Sequence, residues 1–476
     1  MKISLIMPGR DNLVYAKWSY ASVRKHQGKH EVEICFADDN SSDGTWEWCI
    51  EMMKIDPLFK AIRNDSGQRL GHTILYDQLV NEVCTNEIAM IWHCDMYLCP
   101  DALTQIEKIM YTSLRVEDPD NYLECEKYRV DKITRRFDAD NVNSNKIRIQ
   151  LTSGSYVKYN ADHTIDMDES FWGGWVLPIT TQYKTIVSLT RIEPPLHPDG
   201  PEKYLADWGT EPDQFNETAF LQWFISPEAD GYKPKYSPPY TNGIFAPWAF
   251  FVKDFKEIGG HDPLYRPQSK EDSDIFNRFK LNGCKFIQTW KGCVYHFSCK
   301  GSRFSPMLTT AGTNSLEWEA HNIRSARNFI RKWGHFVQHT ELMDPIIPHK
   351  YDIGFIISNG DLYLLRALEP WASKIFVAPS PNLINQTISE YIKSEDTYFP
   401  LAEKFVDNEC MDSDIRIFID GNRFTNEDFA YIQNISDIIS DSGVENCKME
   451  IGSMLLDIKY IKSIENSLIK IKTEYN

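Results

Sequence analysis

Apolar residues gather in short blocks near the start of the chain, and each block ends in a polar or turn-forming cluster. KISLIM reads as a buried strand closed by Pro8-Gly9, after which Leu13, Ala16, Tyr20 and Val23 recur at helical spacing. EVEICFADD alternates Val32, Ile34 and Phe36 before two aspartates, and SSDGTWEWCIEMM supplies a turn and then a helix. FKAIRND predicts a third strand, GHTILYDQLVNEV a third helix and EIAMIWHCD a fourth strand. Strands alternating with helices of this length imply an α/β fold, a parallel sheet with helices on both faces. Ligands of such sheets bind beyond the carboxyl ends of the strands. Asp38-Asp39-Asn40 and His93-Cys94-Asp95 both fall at such ends.

The rhythm breaks over residues 111–240, where KIRIQL, FWGGWVLPI and the proline-rich EPPLHPDGPEKY suggest an insertion of hairpins and loops. Regular pattern returns in 241–340: a strand and short helix in FAPWAFFVKDFKEIGGHD, a helix in SKEDSDIFNRFKLNG closed by Gly283, and a strand in CKFIQTWKGCVYHF. The amphipathic SLEWEAHNIRSARNFIRKWGHF is expected to be a helix closing a domain near residue 340. YDIGFIIS, KIFVA and DIRIFID read as strands, with helical stretches such as NEDFAYIQNISDIIS between them, and predict a second, smaller α/β unit over 341–476.

The 476 residues suffice for two or three domains. The net charge of −17 disfavours non-specific binding to nucleic acid or anionic lipid. Residues 341–476 hold 23 acidic against 12 basic residues, so most of the excess lies there. An acidic protein that handles nucleotides must neutralise them locally, and a divalent cation does so economically. Eleven scattered cysteines argue against a disulfide scaffold and for a reducing compartment. Cys293, His296 and Cys299 form a C-x2-H-x2-C cluster, but no fourth zinc ligand sits at familiar spacing. MKISLIMPGRDN is too short in apolar residues for a signal peptide, and no run reaches the ~18 needed for a bilayer span. A cytoplasmic location is expected.

LIMPGRDN, ADDNSSDGT, WHCDM, GGHDP, KEDSDIFNRF and VYHF stand in one order along the chain. Together they resemble the family 2 inverting glycosyltransferases of GT-A fold, over about residues 1–340. Each piece alone is weak, since Asp-rich turns are common; six in order are specific. The resemblance implies a Rossmann-like mixed sheet with a nucleotide-binding half (1–110), the insertion (111–240) and an acceptor-side, catalytic half (241–340).

Asp39 matches the position that contacts the nucleotide base, and an acceptor carboxylate there favours uracil and hence a UDP-sugar. Pro8, Arg10, Asp38, Asn40 and Arg69 are implied as further nucleotide contacts. HCD occupies the place of the DxD motif, whose last carboxylate, here Asp95, binds Mn2+ or Mg2+ on the diphosphate. His93 stands where an aspartate is usual; an imidazole there can bond ribose or phosphate, or bind Mn2+. This departure puts metal dependence in doubt, and a plain helix-capping role for Asp95 competes with it.

His296 matches a histidine that often completes the metal site, although a histidine ending a strand is commonly structural. In KEDSD, Asp272 is assigned as general base and Glu271 as acceptor-positioning, with the reverse open. Ser269 and Asp272 also approximate a capping box, which is compatible with either role. Asp274 is expected in a salt bridge or in solvent. Trp172, Trp175 and Trp248 are candidates to stack on an acceptor sugar, against the commoner fate of core packing.

The expected function is therefore metal-dependent transfer of a sugar from a nucleotide diphosphate to an acceptor hydroxyl by single displacement. The acceptor, a glycan or another hydroxyl compound, is not specified by any motif. A rival of another class is a binding module on the same fold that recognises a nucleotide sugar or glycan with little turnover. A nucleotidyltransferase would want a glycine-rich basic loop after the first strand, which PGRDN matches poorly. Residues 341–476 could bind acceptor, mediate oligomerisation or dock a partner enzyme.

Overall fold

The computed structural model describes residues 1–112, 148–150, 156–159, 165–167, 184–197, 199–226, 240–241, 245–298, 314–381, 383–408 and 412–470. Residues 1–106 and 186–476 form one compact unit and 107–185 another. Strands β1 (Lys2–Gly9), β2 (Glu31–Asp38), β3 (Phe59–Arg63) and β4 (Ile88–Ile91) pair in parallel in the order β3-β2-β1-β4. β5 (Met96–Leu98) follows at once.

Seven of the eight residues in both β1 and β2 are buried, as befits central parallel strands covered on both faces. The alternation in EVEICF therefore does not mark a solvent face. Glu33 is 2% exposed because Lys60, Thr85 and Ser4 bind its carboxylate, the Ser4 hydroxyl at 2.5 Å. The helix Leu13–His26 buries Ala16 and Val23 as expected, and also Ser19 and Ser22. Those serines accept from Trp92 Nε1 at 2.8 Å and from the Leu98 main chain at 3.0 Å.

In the second unit β6 (Arg148–Gln150), β7 (Tyr156–Tyr159) and β8 (Ile165–Met167) make a three-stranded antiparallel sheet. In the first, the parallel order stops at β4. β9 (Thr185–Glu193), β10 (Lys203–Leu205), β11 (Tyr240–Thr241), β12 (Trp248–Phe251) and β13 (Lys285–His296) extend the sheet as β4-β12-β9-β13-β11, with β12 antiparallel to both neighbours. β5 pairs with the end of β13, setting Met96 opposite His296. The result is a mixed α/β sheet. Its curl brings the carboxyl ends of β4, β9 and β13 together.

A short hairpin, β14 (Gln338–His339) and β15 (Pro345–Ile346), precedes a second sheet. There β16 (Ile353–Ser358), β17 (Lys374–Val377) and β18 (Ile415–Asp420) are parallel, and β19 (Cys447–Ile451) and β20 (Met454–Ile458) add an antiparallel edge. This sheet has its own core, from Phe355, Ile357 and Leu365 to Ile417 and Leu456. The helix Leu316–Trp333 is shared: Ile330 joins that core, while Phe329 and Trp333 pack with Leu264 and Tyr265. Arg331 of the same helix is buried between Glu369 at 2.6 Å and Glu395 at 2.5 Å.

Candidate functional site

A cavity of about 620 Å³ opens where β1, β4, β9 and β13 end. Pro8, His93, Asp95, Glu271, Asp272 and His296 all line it, so six of the residues singled out from sequence converge there. The close approach of β1 to the turn after β4 depends on Gly9, since a Cβ there would lie 2.9 Å from Cys94 Sγ and 3.0 Å from the Phe36 ring.

His93, Asp95 and His296 offer one ligand atom each, all within 4.8 Å of one another. His296 Nε2 lies 3.3 Å from Asp95 Oδ2, and its Nδ1 lies 2.7 Å from Glu193 Oε1. Burial opposes an imidazolium at His296, but Asp95 and Glu193 on its two sides outweigh that and raise it to about 9. Burial likewise opposes ionisation of Asp95, and His296 reverses it, so its carboxyl sits below the usual range. His93 has no such pair of acids; burial dominates and lowers it to about 3. It stacks on His72 at 6.1 Å between ring centroids. Two imidazole nitrogens and a carboxylate make a donor set that suits Mn2+ better than Mg2+, which prefers oxygen. The residues fit a divalent cation.

Across the cavity the helix Glu271–Leu281 begins with the acidic pair. No capping box forms. Ser269 and Lys270 both take left-handed backbone, with φ of 82° and 71°, and the Ser269 hydroxyl donates instead to Asn322 Oδ1 at 2.8 Å. Burial, then Asp272, pushes Glu271 up; burial also raises Asp272, with His261 and Arg191 pulling against it. Glu271 Oε2 is buried with no hydrogen-bond partner among the described residues. Asp274 points the other way, fully buried and paired with Arg278 at 2.7 Å and Lys332 at 2.7 Å. Its expected ion pair is present and its solvent alternative is not.

The remaining candidates among the described residues lie outside the cavity lining. Asp39 is 3% exposed, and its carboxylate accepts from Asn64 Nδ2 at 2.7 Å and from the main-chain N–H groups of Leu70 and Gly71 at 3.1 and 2.9 Å. It thereby anchors the 64–71 loop beside the site. Asp38 faces Arg63 at 3.2 Å and the Ser41 N–H. Asn40 takes a left-handed turn, Arg10 is exposed beside Asp11, and Arg69 bonds Glu317 and Gln268. Trp248 is corrected by its packing: it is fully buried on β12 against Phe250, Phe276 and Phe279, leaving no ring face for a sugar. Trp172 and Trp175 lie outside the described residues. Cys293 and His296, three apart on a strand, point to opposite faces. Cys293 joins an aromatic core while His296 enters the cavity, and Cys299 lies outside the described residues.

Arg191, Glu193, Lys203, His72 and Trp318 also line the cavity and were not expected. For two of them a signal exists: Arg191 and Glu193 sit two apart in TIVSLTRIE, charges on one face of an otherwise uncharged strand.

Residues 4–151 match the family model for Glycosyl transferase family 2. No curated protein sequence matches the chain. Among solved structures, residues 1–349 of S. aureus TarS are 11% identical, with 62% of this chain and 60% of that one covered at a TM-score of 0.33. The mannosyltransferase PcManGT from Pyrobaculum calidifontis, in complex with GDP-Man and Mn2+, is 12% identical over 63% of this chain and 57% of its own, at 0.34. GalNAc-T7 with UDP, GalNAc and Mn2+ is 12% identical over 69% and 48%, at 0.37. No helix among the described residues is long and apolar enough to cross a membrane.

Proposed function

We propose that the protein is a metal-dependent, inverting glycosyltransferase of hexosyltransferase type. It takes a sugar from a nucleotide-diphosphate donor, a UDP-sugar favoured, and passes it to an acceptor hydroxyl. One observation carries this: a carboxylate with two imidazoles faces a half-buried acidic pair across a single cavity.

His93, Asp95 and His296 would hold the divalent cation, which when bound supplies charge neutralisation for a departing diphosphate. Asp272 and Glu271 act on the acceptor. Two carboxyls side by side in a half-buried pocket do not both ionise readily, so one proton is shared. The charge favours Asp272, because His261 and Arg191 stabilise its carboxylate. That leaves Asp272 to take the proton from the acceptor oxygen as it attacks the anomeric carbon. Protonated Glu271 donates a hydrogen bond that orients the acceptor. A single displacement turns an α-linked donor into a β-glycoside. Residues 1–340 carry this chemistry, and the acidic 341–476 unit serves as an accessory to it.

The test is to incubate the full chain with a panel of UDP-sugars and Mn2+ and measure UDP release with and without candidate acceptors. Release that needs Mn2+ and one donor supports the proposal. Tight donor binding with no release under any condition would favour the binding-module alternative.

A further inference from the structure

Glu193 ends β9 and is 2% exposed. Its Oε1 lies 2.7 Å from His296 Nδ1, and the carboxylate also faces Arg191 Nε and Lys203 Nζ, each at 3.3 Å. An ionised carboxylate only accepts hydrogen bonds, so Nδ1 carries the hydrogen of this one. In the neutral ring the lone pair is then on Nε2. That atom is the one 3.3 Å from Asp95 Oδ2 and within reach of His93. Arg191 and Lys203 restrain Glu193 from two directions, so the ring cannot turn without breaking buried ion pairs.

We propose that Glu193 is a positioning residue for a divalent cation at His93, Asp95 and His296. It selects the Nδ1–H tautomer of His296, aims Nε2 at the cation and strengthens that nitrogen as a donor by placing a negative charge behind the ring. This rests on the preceding functional reading only in requiring a cation at the triad. A glutamine at 193 can accept the same hydrogen without the charge; a leucine of similar size can do neither.

Mn2+ alone is titrated into the full chain, free Mn2+ being followed by electron paramagnetic resonance, for the wild type, Glu193→Gln and Glu193→Leu. The metal-free thermal midpoint of each is recorded alongside. Outer-sphere partners of this kind are worth about 10- to 100-fold in metal affinity. Glu193→Gln is therefore expected near the lower end of that loss and Glu193→Leu near the upper. A role confined to packing would lower the midpoint and leave the Mn2+ dissociation constant alone, and that outcome overturns the proposal. Should Glu193→Leu fail to fold, the near-isosteric Glu193→Gln decides by itself. A wild type that retains no Mn2+ removes both the cation reading and the role of Glu193, whereas equal retention by wild type and variants removes only the latter.

Discussion

His296 and Asp95 meet at 3.3 Å, Nε2 to Oδ2, although one ends β13 and the other follows β4. The contact exists because β5, starting one residue after Asp95, pairs antiparallel with β13 and puts Met96 opposite His296. Two strand ends distant in sequence are thereby sewn into one donor set, with His93 as its third member.

Asp95 is the only anionic member of that set. Asp95→Asn keeps size and removes the charge, so Mn2+-dependent UDP release is expected to fall about 100-fold or more, near ~3 kcal/mol in barrier. Turnover at saturating Mn2+ measures it; release at the wild-type rate would contradict the metal assignment.

Removing the general base is expected to cost about 10²- to 10⁴-fold. Asp272→Asn should show that loss in turnover while donor affinity, read by calorimetry, stays near the wild type. Glu271→Gln, which can still hydrogen-bond the acceptor, should mainly raise the acceptor KM. Equal losses of turnover in both variants would erase the distinction between their roles.

Burial raises Asp272 above the ordinary carboxylate range. A base works only when deprotonated, so activity is present at high pH and lost as pH falls through that raised value. The acid limb of kcat/KM is thus expected above the ~3.9 of a free aspartate. A pH–rate profile with its limb at or below that value would remove Asp272 as the base.

The Arg331–Glu369 pair ties the helix Leu316–Trp333 to the second sheet. Burial opposes the charge on Glu369, but Lys404 and Arg331 outweigh it and hold it at about 2. Its folded value is depressed, so its stabilisation is present above the unfolded value of 4.5 and fades as pH falls toward about 2. Glu369→Ala leaves Lys404 without its acidic partner and Arg331 with Glu395 alone, and should destabilise by about 3–5 kcal/mol. Denaturant melts at neutral pH measure this, and a loss below 1 kcal/mol would show the pair to be dispensable.

Trp248→Ala should cost about 3–5 kcal/mol of stability through the cavity it leaves. The acceptor KM of the folded fraction should not change. A large KM effect with an unchanged melting temperature would return Trp248 to the acceptor site.

The first four strands, the helix Leu316–Trp333 and the second sheet were foreseeable, because each carries a complete local signal: an apolar block or stripe with its own stop residues. The antiparallel continuation of the first sheet was not, since a short apolar run such as β12 looks the same in either direction. Ser19 and Ser22 escaped the helix pattern because small polar residues count as surface until a partner such as Trp92 Nε1 is known. The capping box in SKED failed because two left-handed residues, which no local rule predicts, turn Ser269 away.

By itself the sequence determined the residue types, the strand ends on which they sit and their order, which sufficed to single out His93, Asp95, Glu271, Asp272 and His296 as candidates, all of which line one cavity. Tertiary structure alone decided which of the polar strand ends share a cavity. It turned Asp39 toward Asn64 and the Gly71 amide, closed Trp248 into the core and set Glu193 behind His296. The reason is physical: hydrophobic periodicity encodes which face of an element is buried, whereas the pairing of distant strands sets the distances on which charge, ligation and proton transfer depend.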